Sequence, residues 1–245
     1  MIKIKNVSKN FRTAQGIKRA LKNISMEIPE ESVTVLAGEN GSGKSVLMSI
    51  LAGLEDTDCG EIFFDDEPHK KIGKKIGMVF QEAETQILGE TPREDISFGP
   101  KNIGMKKSEI EEAVQDALEK TGLTDKADFP ARFLSGGEKR RLAVACMISM
   151  KKPVIILDEP YANLDYGGVK QVNALIKELK NQKKTVIILT HEIEKCLGLA
   201  EKFIVLFRGK IMFEGSPAEA LEKNLEEWNI HNPLRSYRSL KDFVW

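Results

Sequence analysis

The sequence predicts an α/β fold in which a mainly parallel sheet forms the core, accompanied by an antiparallel β subdomain and an inserted helical subdomain. Two apolar runs, at 154–157 and 185–190, are typical of strands buried on both faces of a parallel sheet. A third run, at 33–37, leads into a glycine-rich turn and then into a segment with helical spacing. Strands and helices that alternate in this way are the order expected of an α/β domain.

The remaining strands are predicted to form an antiparallel layer and a closing hairpin. Alternation in 2–7 predicts an edge-type strand, and 24–28 is predicted to pair with it. Short apolar segments predict four further strands, at 61–64, 76–80, 203–207 and 211–213. Ser216 and Pro217 begin a last helix, because serine caps a helix well and proline suits the first helical position.

The segment 92–150 has helical character and interrupts the strands. Ser108 and Glu111 form a capping-box pattern ahead of an apolar stripe at helical spacing. Ser135 and Glu138 form a second capping box, which opens another helix.

These patterns predict one domain over residues 1–221, with its core in 1–86 and 151–221. A helical subdomain occupies 87–150, and a C-terminal helix and tail occupy 222–245.

The composition is that of a soluble globular protein, with 41% hydrophobic and 30% charged residues. A formal net charge of zero provides no global field to attract nucleic acid or an anionic membrane. No signal peptide is evident and no apolar run approaches the ~20 residues that span a bilayer, so any membrane role is expected to be peripheral. The three cysteines form no CxxC pair and are expected to be buried, in a reducing compartment.

The glycine-rich turn carries the first chemical motif. Gly38, Gly43, Lys44 and Ser45 satisfy G-x-x-x-x-G-K-[ST] between a strand and a helix, which is the context that a phosphate-binding loop requires. Its glycines let backbone N–H groups turn inward around a polyphosphate, and the helix start adds its unsatisfied donors. Lysine then reaches the terminal phosphates, and the serine hydroxyl is placed to bind Mg²⁺.

Polar residues follow two of the predicted core strands. Asp158 and Glu159 come directly after one strand, and His191 comes directly after the other. Because the carboxyl ends of parallel strands lie at one edge of a sheet, these side chains are expected to lie near the phosphate loop. A carboxylate fixed at a strand end suits Mg²⁺ coordination, and the second acid could polarise a water molecule.

The stretch 134–141, Leu-Ser-Gly-Gly-Glu-Lys-Arg-Arg, is the most specific motif in the chain. With the other motifs in this order, the sequence resembles the ATP-binding cassette (ABC) ATPases, whose fold is that of the P-loop NTPases, and the resemblance covers residues 1 to about 220. Several positions depart from the family's commoner residues: Val46, Tyr161 and Asn163.

The resemblance implies ATP hydrolysis with Mg²⁺ and assigns roles by position. The ATP contacts would be Phe11, Gly38, Glu39, Asn40, Gly41, Ser42, Gly43, Lys44, Ser45 and Val46. The catalytic residues would be Lys44, Gln81, Glu159 and His191, and the Mg²⁺ ligands Ser45, Gln81 and Asp158. The family signature would be Ser135, Gly136, Gly137 and Glu138, and the D-loop aspartate would be Asp165. From the residues alone, Phe11 could stack on a base or fill the gap between strands.

The resemblance also implies a head-to-tail dimer of like or unlike chains. Each ATP would lie between the phosphate loop of one chain and the signature of the other, since a helix N-terminus with glycine amides suits a phosphate brought from outside.

A narrower resemblance follows Gln81. The segments 80–87, 91–100 and 102–105 are similar to those of the ATPases of energy-coupling-factor importers, which take up vitamins, cobalt or nickel. That similarity implies a transmembrane coupling subunit docked on this region, a substrate-binding membrane subunit, and a place at the cytoplasmic face of the cell membrane.

Other functions remain open from the sequence. The chain could serve another class of ABC transporter, or be a soluble ABC ATPase that acts on nucleic acid or ribosomes. The neutral charge and the lack of a basic, aromatic-rich insertion argue against a nucleic-acid partner. An inactive regulatory module is a third alternative, which Glu159 and His191 oppose.

Overall fold

The computed structural model describes residues 1–14, 16–65, 67–68 and 75–234. The described strands are β1 Ile2–Thr13, β2 Gly16–Ile28, β3 Val33–Ala37, β4 Cys59–Phe64, β5 Glu67–Pro68, β6 Ile76–Val79, β7 Val154–Asp158, β8 Thr185–Thr190, β9 Lys202–Phe207 and β10 Lys210–Gly215. The described α-helices are α1 Lys44–Leu51, α2 Pro92–Asn102, α3 Lys107–Thr121, α4 Gly136–Ser149, α5 Tyr166–Asn181 and α6 Pro217–Leu221.

A six-stranded sheet with the order β10-β9-β3-β8-β7-β6 forms the core, and only β10 pairs in antiparallel fashion. Every residue of β3, β6, β7 and β8 is buried, because both faces of the sheet are covered. The parallel core expected from the apolar runs is therefore confirmed. It places the carboxyl ends of five strands, β9, β3, β8, β7 and β6, at one edge.

A second sheet with the order β2-β1-β4-β5 is antiparallel. The expectation that β1 is an edge strand is wrong, because β1 pairs with β2 on one side and with β4 on the other. Its alternation reflects a sheet with one buried face, since Ile2, Ile4 and Val7 enter a cluster with α1 residues such as Leu47. Helix α1 is thus held between the two sheets.

Helices α2, α3 and α4 form the inserted helical layer. Helix α3 begins two residues earlier than a Ser108 cap predicts, at Lys107, and the Glu109 carboxylate accepts a hydrogen bond from the Lys106 N–H at 2.9 Å. The predicted capping box of Ser108 and Glu111 is therefore wrong, because the acid three residues after Lys106 supplies this contact instead.

The C-terminal part packs against the main core. Ser216 caps α6 with Pro217 at its first position, as the sequence predicts. A 3₁₀ turn follows at Leu225–Trp228, and Leu225 and Ile230 are buried. The rest of the expected tail, 235–245, lies outside the described residues.

The cysteines differ in their burial. Cys196 is buried, as expected, whereas Cys146 is half-buried and Cys59 is exposed. Cys59 lies at the start of β4, where the first three residues of the strand face solvent. Among the described residues, none of the helices combines the length and the apolar character needed to cross a membrane.

Candidate active site

The glycine-rich loop joins β3 to α1 at the carboxyl edge of the main sheet. A Cβ atom at Gly38 would lie 2.2 Å from the carbonyl oxygen of Leu206. Gly43 has a φ of +109° and would bring a Cβ within 2.8 Å of the carbonyl oxygen of Ala20. Both positions therefore require glycine, for lack of space and, at Gly43, for conformation as well. The two glycines therefore allow the loop to pack closely against the backbone at Leu206 and Ala20.

Lys44 is buried at the first position of α1, where its Nζ donates to the carbonyl oxygens of Gly38 at 2.6 Å and Glu39 at 3.2 Å. The same Nζ lies 3.5 Å from Glu159 Oε1. Burial lowers the pKa of Lys44, and the attraction of Glu159 only partly opposes this effect. A phosphate in the loop would add further negative charge beside this ammonium and oppose the effect of burial.

Asp158 ends β7, and Ser45 at the start of α1 lies close enough to influence its carboxyl group. Burial raises the pKa of Asp158, and the nearby Ser45 hydroxyl acts in the opposite direction. These two residues come from distant parts of the sequence. The pairing of β7 and β3 with β8 brings them together, as the strand-end argument predicts.

Glu159 is buried beside Lys44 and has a φ of +45°, a left-handed conformation that costs a non-glycine residue on the order of 1–3 kcal/mol. Its N–H donates to the carbonyl oxygen of Leu189 in β8 at 2.9 Å, which ties this turn to the neighbouring strand. His191 Nδ1 lies 3.1 Å from Glu159 Oε1. The histidine side chain is 46% exposed, whereas the glutamate side chain is only 6% exposed. The pair therefore joins a buried carboxylate to a solvent-facing imidazole.

A cavity of about 570 Å³ opens over the loop. Phe11 and Gln81 line it together with Gly41, Lys44 and Glu159. Phe11 thus faces the cavity from β1, with Lys9 Nζ 5.3 Å from its ring centroid. This position favours base stacking over gap filling.

Sequence reasoning missed one wall of the cavity, which is formed by Lys18, Arg19, Ala20, Lys22, Arg208 and Gly209. The Gly209 N–H donates to the carbonyl oxygen of Ser42 at 2.9 Å, and its own carbonyl accepts from the Lys22 N–H at 2.8 Å. The hairpin turn between β9 and β10 therefore braces the phosphate loop. No local sequence pattern predicts such a contact, because it joins residues that are far apart in the sequence.

The signature residues lie elsewhere. Ser135 caps α4, and the Glu138 carboxylate accepts from the Ser135 N–H at 2.8 Å. Glu138 is also paired with Lys126, which lowers its pKa. Asp165 caps α5, where its Oδ1 accepts from the Gly168 N–H at 2.7 Å. The structure does not bring Ser135, Gly136, Gly137, Glu138 or Asp165 to the cavity of their own chain.

The polar atoms of the cavity fit a phosphate ligand and a cation. Among the described residues, three buried side-chain atoms have no hydrogen-bond partner, and two belong to the site: Ser42 Oγ and Glu159 Oε2. Such orphaned atoms fit a polar ligand. In the part of the chain that the structure describes, no cluster of three His, Cys, Asp or Glu side chains could hold a metal ion. The oxygens of Ser45 and Asp158 are of the kind that Mg²⁺ prefers, and phosphate oxygens or water would complete its shell.

The comparisons with known proteins agree with this geometry. The family model described as ABC transporter matches residues 21–162. The chain is 36% identical to the energy-coupling factor transporter ATP-binding protein EcfA of Carboxydothermus hydrogenoformans, over 86% of this chain and 80% of that protein. It is 40% identical to EcfA2 of Clostridioides difficile, over 84% of this chain and 75% of the relative.

Solved structures give the same result. The cbiO1 protein of Clostridium perfringens, described as part of the ABC transporter complex cbiONQ, superimposes with a TM-score of 0.82 at 32% identity, covering 95% of both chains. The ATP-binding cassette MJ0796, in a dimeric post-hydrolysis state with ADP and Pi, gives a TM-score of 0.79 at 29% identity, covering 89% of this chain and 99% of that one.

The chain belongs to the ABC transporter family. It has that family's ATPase fold, binds ATP and hydrolyses it in support of transport. Within the family it is an ATPase subunit of the energy-coupling-factor type, as the resemblance after Gln81 implies.

Proposed function

We propose that this chain powers the import of a vitamin or of a transition metal such as cobalt or nickel, by pairing with a second ATPase subunit around shared ATP and driving a membrane partner. One observation carries the proposal. The cavity holds the phosphate loop, Lys44 and Glu159, whereas none of the signature residues 135–138 lines it. A complete site therefore needs a signature from a second chain.

ATP would bind with its phosphates in the loop and its base against Phe11. Backbone N–H groups of 38–46 and the Lys44 ammonium would hold the phosphates. Ser45, Gln81 and Asp158 would hold Mg²⁺, which would supply positive charge to the terminal phosphate oxygens. The proximity of Ser45 to Asp158 and the position of Gln81 on the cavity wall support this assignment.

Hydrolysis would use Glu159 to orient and activate a water molecule. The free Oε2 atom of Glu159 is a buried acceptor with no partner among the described residues, while Oε1 is shared by Lys44 and His191. His191 would steady the carboxylate and contact the terminal phosphate from the open side. These roles need positioning and charge more than covalent chemistry.

The signature would act on the partner's ATP. Ser135 and Gly136 are exposed at the start of α4, where a Cβ on Gly136 would meet nothing within 4 Å in its own chain. This open helix N-terminus suits a phosphate from outside. Loss of the terminal phosphate would then remove the contact that joins the two chains.

An apolar groove would receive the transmembrane coupling subunit. It has a volume of about 270 Å³, with Cys146, Met147 and Met150 among its lining residues. The side chains of Leu88, Phe98 and Ile103 line it too, and each remains at least 49% exposed. Exposed apolar side chains gathered around methionines suit an apolar partner helix.

The groove also connects to the active site. The Gln86 side chain donates to the carbonyl oxygen of Met78 at 3.0 Å and accepts from the Phe80 N–H at 2.9 Å. Gln86 lines the groove, and the next residue after Phe80 is Gln81 of the cavity. A partner bound in the groove would therefore be coupled to the nucleotide cavity through the segment from Phe80 to Gln86. This contact would lie at the cytoplasmic face of the membrane. A substrate-binding membrane subunit would complete the transporter.

The proposal is tested by expressing the tagged chain with the membrane proteins of its own gene neighbourhood and purifying it from solubilised membranes. A small polytopic protein should copurify, and Phe98→Asp should release it while Leu54→Asp, an exposed apolar position outside the groove, should not. Isolation of the chain as a soluble complex with nucleic acid would contradict the proposal.

A further inference from the structure

Tyr161 is the largest side chain in the described core that is fully buried, with 0% relative exposure. It lies two residues after Glu159. Burying its hydroxyl would be costly without a partner, and the hydroxyl donates to Asn173 Oδ1 in α5 at 2.7 Å. Burial also raises the pKa of Tyr161, so the hydroxyl keeps its proton.

Asn173 continues the contact on its other side. Its Nδ2 donates to the carbonyl oxygen of Lys195 at 2.8 Å, in the 3₁₀ turn Ile193–Lys195 that follows His191. One amide side chain on α5 therefore joins the turn after β7 to the turn after β8. We call Tyr161, Asn173 and the Lys195 carbonyl the relay.

The two ends of the relay lie close in sequence to the hydrolytic pair, since Tyr161 is two residues after Glu159 and Lys195 is four residues after His191. Glu159 holds a left-handed backbone, which persists only where the surroundings fix it. His191 is 46% exposed, and its contact with Glu159 at 3.1 Å depends on where its turn lies. The relay fixes the two turns relative to each other, whereas the Glu159 N–H bond to Leu189 fixes only the first turn to the end of β8.

We propose that Tyr161 and Asn173 are positioning residues that hold Glu159 and His191 in register for hydrolysis. The inference rests on the proposed roles of those two residues. Neither relay side chain lines the nucleotide cavity, so both act through the turns that they join. Loss of the relay should therefore slow the chemical step without weakening ATP binding.

Two variants each break one link. Tyr161→Phe keeps the ring and removes the donor to Asn173, while Asn173→Asp keeps an acceptor for Tyr161 and removes the donor to Lys195. Each should lower kcat on the order of tenfold with KM for ATP unchanged, since small misplacements of reacting groups are costly. The double variant should lose little more than either single one, because the two links act as a unit.

Thr121→Val is the matched control. It removes a buried hydroxyl bond of the same 2.7 Å length, to the carbonyl oxygen of Ala117 in α3. It should lower stability without changing kcat at temperatures well below unfolding. Folded relay variants that turn over at the wild-type rate, or that lose no more kcat than Thr121→Val, would overturn the inference. Glu159→Gln separates the two ideas: if it stalls while Tyr161→Phe does not, only the relay is wrong.

Discussion

At the scale of single residues, the site is built from buried charges whose partners are shared. Glu159 Oε1 lies near both Lys44 and His191, and its Oε2 has no partner among the described residues. Burial lowers the pKa of Lys44 and raises that of Asp158, so both groups are less stable as ions than they would be in water. The chain keeps these charges where a phosphate and a cation would compensate them.

The raised pKa of Asp158 gives a pH prediction. Because the folded chain binds this proton more readily than the unfolded chain, wild-type stability attributable to Asp158 is present at low pH and is lost as pH rises through the raised pKa. Asp158→Asn removes that dependence. The variant should therefore compare more favourably with wild type at about pH 7 than at about pH 4, in urea titrations of the free energy of unfolding.

Asp128→Asn is the control of opposite sign. A hydrogen bond from Arg93 lowers the pKa of Asp128, so the stability that it supplies is lost as pH falls. An Asp158→Asn variant whose stability relative to wild type followed the same trend as Asp128→Asn would contradict the burial argument.

Residue identities in this site could be predicted because motif and strand end coincide. Asp158 ends an apolar strand and His191 follows another, while Lys44 begins the helix after the loop that follows a third, and parallel pairing puts such positions together. The burial of Tyr161 and the bracing by Gly209 could not be predicted, because both depend on contacts between distant segments.

At the scale of elements, the hairpin turn of β9 and β10 supports the phosphate loop. Gly209 has a φ of +77°, and a Cβ there would lie 2.5 Å from the carbonyl oxygen of Ala20. Gly209→Ala should therefore displace the loop and weaken ATP affinity at least severalfold, measured by nucleotide titration. Gly104→Ala is the matched control, because Gly104 has the same φ but no atom within 4 Å. Equal losses of affinity in both variants would exclude a bracing role.

The segment that leads into α2 carries two exposed acidic side chains. Glu84 and Glu90 are exposed near the groove, and Glu84 pairs with Lys139 at 2.8 Å. Reversing both charges should weaken recruitment to membranes that contain the coupling subunit, while basal ATPase activity is retained. The measurement is sedimentation with vesicles carrying that subunit.

Charge reversal at Glu61 and Glu222, which are exposed outside the groove, provides the control. Loss of nucleotide binding in the Glu84 and Glu90 variant would show that the docking surface lies elsewhere.

Helices and strands could be predicted where the spacing of apolar residues was clear, but the pairing of strands could not. The apolar runs identified β3, β7 and β8, but the alternation in β1 could not show that it has two neighbours. The start of α3 depends on which glutamate accepts a hydrogen bond from the N–H of the capping residue. The sequence offers Glu109 and Glu111, and the structure uses Glu109.

At the scale of the whole molecule, the signature of a chain does not line the phosphate-loop cavity of that same chain. The cavity gathers Lys44 and Glu159, whereas Ser135 and Gly136 are exposed at the start of α4. Pairing of two chains would complete both sites at once, and hydrolysis would release the pair. The dimeric state of the MJ0796 structure is consistent with such pairing.

The central claim is that Glu159 activates the water that cleaves ATP bound in the 38–45 loop. The direct measurement is phosphate release by wild type and Glu159→Gln at matched ATP occupancy, with binding measured separately. Glu159→Gln is expected to bind ATP, to accumulate as a pair of chains and to release phosphate on the order of a hundredfold more slowly or worse. Phosphate release at the wild-type rate by Glu159→Gln would contradict the account.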